Sequence, residues 1–356
     1  MRIAYIINSV EGGGAALPVP SVANVLRRAG ADVRLFALTC RDGRALPAMA
    51  DAGLDAIVRG GGEKDHGAAL GWLDRQIADW RPTHLWTSLT RATLLGQIAG
   101  LRRRVPVVSW QHAAYLKPAN RRLLRTTQRL SRLWIGDSDR VTQLSAERLG
   151  IGHDRLITWP IFRADPAAPL GRVWYPGEPV RIGTLGRLHP VKGYDVLIEA
   201  LARLKDHPVP HELIVGGDGA EREALEAATR AAGLSNIRFA GYVGDPRGFL
   251  ADLHLYVQPS RSEGFCVAAH EAMQAGLPVV ASAVGEMPNS IVAGQTGWVA
   301  PPGDAGELAE ALGAALTYPN RLAPMGMAAR ARVIDRFGPD HFEAIGRSIV
   351  KRMEGF

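Results

Sequence analysis

Only two cysteines occur in 356 residues, too few for a disulfide framework. Cys40 and Cys266 also lack the Cys/His spacing of a zinc site. A reducing, cytoplasmic setting is therefore the expectation. No run of about 18 apolar residues occurs, so no membrane-spanning helix is predicted. The opening residues Met1 to Asn8 read as a short buried strand and lack the longer apolar core and cleavage site of a signal peptide. Low-complexity tracts are absent. With 47% hydrophobic and 22% charged residues, the chain reads as globular and not as disordered. Its length suits two domains better than one core.

Charge is present but unevenly placed. Residues 1–165 hold 24 Lys+Arg against 14 Asp+Glu, and the remainder holds 18 against 21. The basic half should meet an anion: a membrane surface, a phosphorylated substrate or nucleic acid.

Short apolar runs alternate with helical stretches. Ile3–Ile7, Val33–Leu38, Leu85–Ser88, Val105–Trp110 and Leu133–Ile135 predict buried strands. Helices are predicted between them, over Ser21–Ala29, Ala68–Ala78 and Ala92–Leu101. The proline-rich stretch Trp159–Pro179 then reads as a linker. A second series follows. Its strands are Val180–Gly183, His211–Val215, Ile237–Phe239, Leu255–Gln258 and Pro278–Ala281. Its helices are Tyr194–Leu204, Glu221–Ala232, Val267–Ala275, Ala305–Leu316 and about Asp340–Arg352. The fold class is thus α/β, with two doubly wound parallel sheets in tandem and ligands expected at the carboxyl ends of the strands, in a cleft between the domains.

Chemistry concentrates in the second half. Glu263-Gly264-Phe265-Cys266-Val267 leads from a strand into a helix, and Glu271 follows on that helix. Two carboxylates flank a helix N-terminus, which suits a ligand with phosphate between two sets of hydroxyls. Two glutamates near a helix start equally fit simple capping. Upstream, Gly186-Arg187 and Lys192 follow a strand, and two cations there suit a diphosphate, although a solvated loop would look the same. Gly216-Gly217-Asp218-Gly219 ends the next strand and permits close backbone approach. In the first half, Glu11-Gly12-Gly13-Gly14 follows the first strand, and the helix beyond is expected to aim its amides at the site. Leu17-Pro18-Val19-Pro20 should delay that helix. His112 ends another strand. Residues 101–133 carry nine Lys/Arg and no acid, with Arg122, Arg125, Arg129 and Arg132 at helical spacing on one predicted face. This is either a solvated face or a contact for anionic headgroups or a lipid-diphosphate acceptor. Nucleic acid is not expected, because no binding motif or aromatic interleaving accompanies the arginines.

Taken together, Gly186-Arg187 with Lys192, Gly216-Gly217-Asp218-Gly219, Glu263-Gly264-Phe265 with Glu271, and Gly294-x-Thr296-Gly297 resemble the retaining family 4 glycosyltransferases (glycosyl transferases group 1) of the GT-B fold. The resemblance spans essentially the whole chain and is densest from about 180 to 305. It implies two Rossmann-like domains facing a central cleft. Residues 1–165 would form the acceptor side, with the helix from about 340 packing back on it, and 166–339 the nucleotide-sugar side. The implied activity is hexosyl transfer from a UDP- or GDP-sugar to a glycan or lipid-linked acceptor, without a metal or cofactor. No Asp-x-Asp motif of the metal-holding type is expected. Arg187 and Lys192 would steady the leaving diphosphate, Glu263 the donor sugar and Glu271 the ribose. His112 would orient the sugar. Gly13, Gly14, Gly186, Gly217, Val243, Gly264, Phe265, Cys266 and Val267 would line the donor. The location implied is cytoplasmic, on the inner face of the membrane if the arginines bind lipid. Two other readings fit the same architecture: a nucleotide-sugar epimerase, and a non-catalytic nucleotide-sugar or membrane-binding module. The sequence departs from the family where Cys266 replaces a usual Gly or Pro, and where Asn289 replaces a usual Glu.

Overall fold

The computed structural model describes residues 1–356, which divide into two compact units: Met1–Arg163 with Pro339–Phe356, and Ala164–Gly338. The first holds seven parallel strands: β1 (Arg2–Ser9), β2 (Asp32–Thr39), β3 (Ala56–Val58), β4 (His84–Ser88), β5 (Val107–Gln111), β6 (Leu133–Gly136) and β7 (Leu156–Thr158). They lie in the order β3-β2-β1-β4-β5-β6-β7. Helices α1 (Val19–Arg28), α2 (Leu46–Asp51), α3 (His66–Trp80), α4 (Thr90–Arg103), α5 (Pro118–Thr127) and α6 (Asp139–Leu149) connect them. β1, β4 and β5 are buried almost throughout, as a sheet covered on both faces requires.

The second unit repeats the plan with β8 (Val180–Leu185), β9 (His211–Gly216), β10 (Ile237–Gly241), β11 (Leu255–Gln258), β12 (Val279–Ser282) and β13 (Gly297–Ala300), in the order β10-β9-β8-β11-β12-β13. Its helices are α7 (Tyr194–Arg203), α8 (Arg222–Ala231), α9 (Pro246–Ala251), α10 (Val267–Gln274), α11 (Met287–Ser290), α12 (Ala305–Thr317) and α13 (Leu322–Phe337). The last helix, α14 (Pro339–Met353), belongs to the first unit. Gly346 lets it sit close: a Cβ there would lie 2.4 Å from Val25 and 2.7 Å from Trp159. Trp159 Nε1 also donates to the Phe342 carbonyl at 3.0 Å.

The two doubly wound parallel sheets are present, with three strands beyond those predicted. β3, β7 and β13 have only three or four residues each, too few to show a period. Strand order reverses beside β1 in the first unit and beside β8 in the second. A crevice opens at such a switch point because neighbouring connections leave on opposite faces of the sheet. In the second unit it lies between the loops after β8 and β11; in the first, between those after β1 and β4.

The arginine stripe needs correction. Arg122 and Arg125 lie on α5, but that helix ends at Thr127. Arg129 follows on a 3-10 turn, and Arg132 on the loop into β6. Gln128 is buried and Ser131 is extended, so the chain turns into the sheet before a third helical turn can form. All four arginines are exposed, but they do not share one helix face.

Candidate active site

In the second unit the loops on both sides of the switch point meet. After β8, Gly186 and exposed Arg187 lead to a 3-10 turn over Pro190–Lys192, capped by His189 Nδ1 accepting from the Val191 amide at 3.2 Å. Gly193 ends this turn at φ 68, where a Cβ would lie 2.1 Å from the Pro259 carbonyl. Only glycine fits both the backbone and that space. Lys192 is thereby directed at the loop after β11, and its Nζ donates to Glu263 Oε1 at 2.6 Å. The same oxygen accepts from Ser260 Oγ at 2.7 Å and from Gln258 Nε2 at 3.4 Å. Gln258 is tied in turn to the Tyr256 hydroxyl, which bridges back to the Leu185 backbone. Lys192 and Glu263 thus neutralise each other, while Arg187 pairs with no acid.

Glycines at the end of β9 act first on their neighbours. A Cβ on Gly217 would lie 1.9 Å from the Gly186 carbonyl, and one on Gly219 2.3 Å from the Leu188 carbonyl. The two loops run side by side, with Gly186 N donating to Gly216 O and Leu188 N to Asp218 O, both at 2.9 Å. The close approach read from these glycines is therefore loop against loop. Val243 follows β10 and its side chain sits against Gly216.

The segment Glu263–Glu271 enters α10 through Cys266, which takes the left-handed conformation at φ 68, ψ 58. Of the Gly or Pro usual at this position in the resembled family, only glycine suits that geometry, since proline is held near φ about −65. Phe265 and Cys266 are buried. The amides of Val267 and Ala268, at the first positions of α10, donate to no group of the chain, as helix starts leave them. Glu271 projects from α10 without a hydrogen-bond donor to its carboxylate. Burial pushes it up to about 7, and Arg247 opposes this only weakly.

The first unit offers a second constellation. His112, after β5, has its Nε2 2.7 Å from Ser88 Oγ and its Nδ1 3.5 Å from Asp137 Oδ2. Its side chain is 5% exposed and that of Asp137 3%. Both ring nitrogens face the protein. Asp137 belongs to Asp137-Ser138-Asp139, which has the letters of an Asp-x-Asp motif contrary to expectation. Ser138 caps α6 and Asp139 lies exposed in its first turn, so the two carboxylates do not converge. No three His, Cys, Asp or Glu side chains of the chain group as metal ligands would.

Gly13 and Gly14 lie in the loop before α1, but this helix does not present free amides. Val19 N donates to Ala16 O, Ser21 N to Pro18 O, and Pro20 has no N–H. The expectation of an anion site at this helix start is corrected accordingly. Instead, a cavity of about 550 Å³ opens at the switch point of this sheet, between Asn8 near the end of β1, Thr39 at the end of β2 and Thr90 at the start of α4. Arg41, Arg91 and Lys117 line it together with Glu63, which pairs with Arg41, and with Leu94 and Leu123. Leu89, on its wall, has φ 75 and ψ 158, a conformation costly for any residue but glycine. Sequence reasoning missed Ser88, Asp137, Ser260 and this cavity, since no local pattern marks residues that meet only through the sheet.

Residues 179–317 match the model of the family described as glycosyl transferases group 1. The chain is 31% identical to the 2-deoxystreptamine glucosyltransferase of Streptomyces kanamyceticus over 182 residues, covering 50% of this chain and 47% of that protein. It is 31% identical to the D-inositol 3-phosphate glycosyltransferase of Nocardia farcinica over 278 residues, 74% of this chain and 59% of that one. The chain thus spans about half the length of the curated relatives it matches. Its fold is that of Anabaena HepE, solved in complex with UDP-glucose, at a TM-score of 0.84, 21% identity and full coverage of both chains. No helix is long and apolar enough to cross a membrane.

Proposed function

We propose that this chain, whose residues 179–317 belong to the glycosyl transferases group 1 family, is a retaining, metal-independent glycosyltransferase. It moves a sugar from a UDP- or GDP-sugar to a glycan or lipid-linked acceptor in polysaccharide or glycolipid synthesis. One observation carries the reading. Beside the switch point of the second unit, the loop after β8 carries a free guanidinium and a lysine paired with the loop after β11, and that loop leads into a helix with two free amides at its start and a carboxylate without a donor in its second turn. A nucleoside diphosphate offers the complementary groups: phosphate oxygens for Arg187, Lys192 and the amides of α10, and ribose hydroxyls for Glu271. Glu263 shares Lys192 with the leaving phosphate and meets the donor sugar. The main chain near Val243 meets the base.

Departure of a nucleoside diphosphate leaves growing negative charge on its terminal phosphate. Fixed cations and amides stabilise that charge in the transition state more than in the ground state, which lowers the barrier. The acceptor hydroxyl attacks from the face the diphosphate leaves, and a phosphate oxygen takes its proton. His112, hydrogen-bonded to Ser88 and facing Asp137, would border the sugar without offering it a ring nitrogen. The first unit is the acceptor side. Its cavity, lined by basic, polar and leucine side chains together, suits an acceptor that carries a sugar or phosphate head and an apolar tail.

A thermal-shift panel of UDP, GDP and their sugars tests the donor reading. A ligand at about 100 times its dissociation constant adds about 2.7 kcal/mol and raises Tm. Absence of a shift with every member sinks it.

The exposed arginines around α5 support peripheral binding to the inner, anionic face of the cell membrane. Co-sedimentation with vesicles containing 30% anionic lipid (roughly the regime of polybasic attraction) should fall with salt and in the Arg125→Glu/Arg129→Glu variant. Absence of binding at low salt removes the membrane from the account.

A further inference from the structure

Below the Glu263–Cys266 loop lies a buried polar chain that donor contact does not explain. His270, fully buried on α10, has Nδ1 2.9 Å from the Cys266 carbonyl and Nε2 2.7 Å from Ser290 Oγ. The carbonyl can only accept, so Nδ1 carries the proton and Nε2 accepts from Ser290. Arg336 Nη1 donates to the same hydroxyl oxygen at 3.2 Å, and its Nη2 donates to buried Glu286 at 2.7 Å. The Phe265 ring lies 4.1 Å from the His270 ring and 5.0 Å from Phe337. At the side, Gly285 packs so closely that a Cβ would lie 2.3 Å from the Gly264 carbonyl.

An apolar side chain would fill the place of His270 with less desolvation. The histidine adds direction. The Cys266 carbonyl accepts from the Ala269 and His270 amides, as the first carbonyl of a helix does, and also from the imidazole, so a side chain as well as the main chain pins the turn at Cys266 to α10. A cysteine adopts that turn only with backbone strain, and outside it the loop would enter α10 from another direction.

We propose that His270, backed by Ser290, Arg336 and Glu286, is a positioning residue that holds Cys266 in its left-handed turn and so sets the loop from Glu263 to the first amides of α10. Its effect on donor binding rests on the function proposed above; its effect on the loop does not.

The test compares His270→Leu and His270→Asn in the wild-type and Cys266→Gly backgrounds. Asparagine keeps a donor at the place of Nδ1, and glycine takes the left-handed turn without strain. Peptide-resolved hydrogen exchange of the ligand-free full chain reports residues 263–270, with β9 as the control for global stability. His270→Leu should speed exchange of 263–270 at least tenfold without matching loss in β9, and His270→Asn much less. In the Cys266→Gly background the leucine effect should shrink severalfold. Equal acceleration in both backgrounds, or by both substitutions, overturns the proposal. With UDP-glucose as probe, His270→Leu should raise KM more than it lowers kcat, and His270→Asn should restore KM. Absence of wild-type turnover would count against the donor assignment alone, and the exchange comparison would still decide the role of His270.

Discussion

Nucleoside diphosphate affinity should weaken about tenfold from pH 8 to pH 6 in the wild-type protein, and the Glu271-dependent part of that change should vanish in Glu271→Gln. Burial raises the Glu271 carboxyl to about 7 in the free protein. Ribose hydroxyls donate, so the ionised form is the competent one. At pH 6 about a tenth of the molecules carry it and at pH 8 about nine-tenths, and apparent affinity scales with that fraction. The nucleotide's own phosphates titrate in the same range but do so identically for both proteins, so the difference between the two curves isolates Glu271. Titration calorimetry across pH 5.5–8.5 measures it. Parallel curves for the two proteins would remove Glu271 from the binding site.

The same carboxyl makes a stability prediction of definite sign. Its folded value, about 7, lies above the ordinary 4.5, so the folded state binds the extra proton between those values. Its contribution is fully present below pH 4.5 and is lost as pH rises through 7. Glu271→Gln should therefore be more stable than wild type at pH 8, by about 2–3 kcal/mol at most since part of the side chain remains accessible, and the gain should disappear near pH 4.5. A variant stabler at pH 8 yet weaker for nucleotide is the combination expected of a binding residue held in an unfavourable setting.

The second large effect concerns the leaving group. Lys192→Ala and Arg187→Ala should each lower transfer by about 10²–10³. They should differ in stability. Arg187 is exposed and pairs with no acid, so its loss should leave Tm unchanged. Loss of Lys192 strips the cation from Glu263, a half-buried carboxylate that keeps only Ser260 and Gln258 as donors, and should lower Tm. Steady-state transfer with paired melting curves checks both. Wild-type turnover in the two variants would end the leaving-group account.

Much of this protein was legible without coordinates. Buried parallel strands are nearly continuous apolar runs, so β1, β2, β4, β8 and β9 announce themselves, and their alternation with amphipathic stretches dictates the doubly wound class. The residue types at 186–192 and 263–271 are legible too, but each alone equally fits a solvated loop or helix capping, and only their joint order along the chain carries the resemblance. Tertiary structure alone decided what those groups meet. Lys192 and Glu263 lie 71 positions apart and join only because β8 and β11 are neighbours and Gly193 fits against Pro259. Gly217 reads as room for a ligand until the carbonyl of Gly186 is found against it. The first helix follows a glycine-rich loop, as an anion site would, but the preceding turn takes its amides. Local composition fixes which groups are available and how the chain is inclined to fold. Which partner each group finds depends on strand order and on how closely distant loops pack, and no local pattern records those.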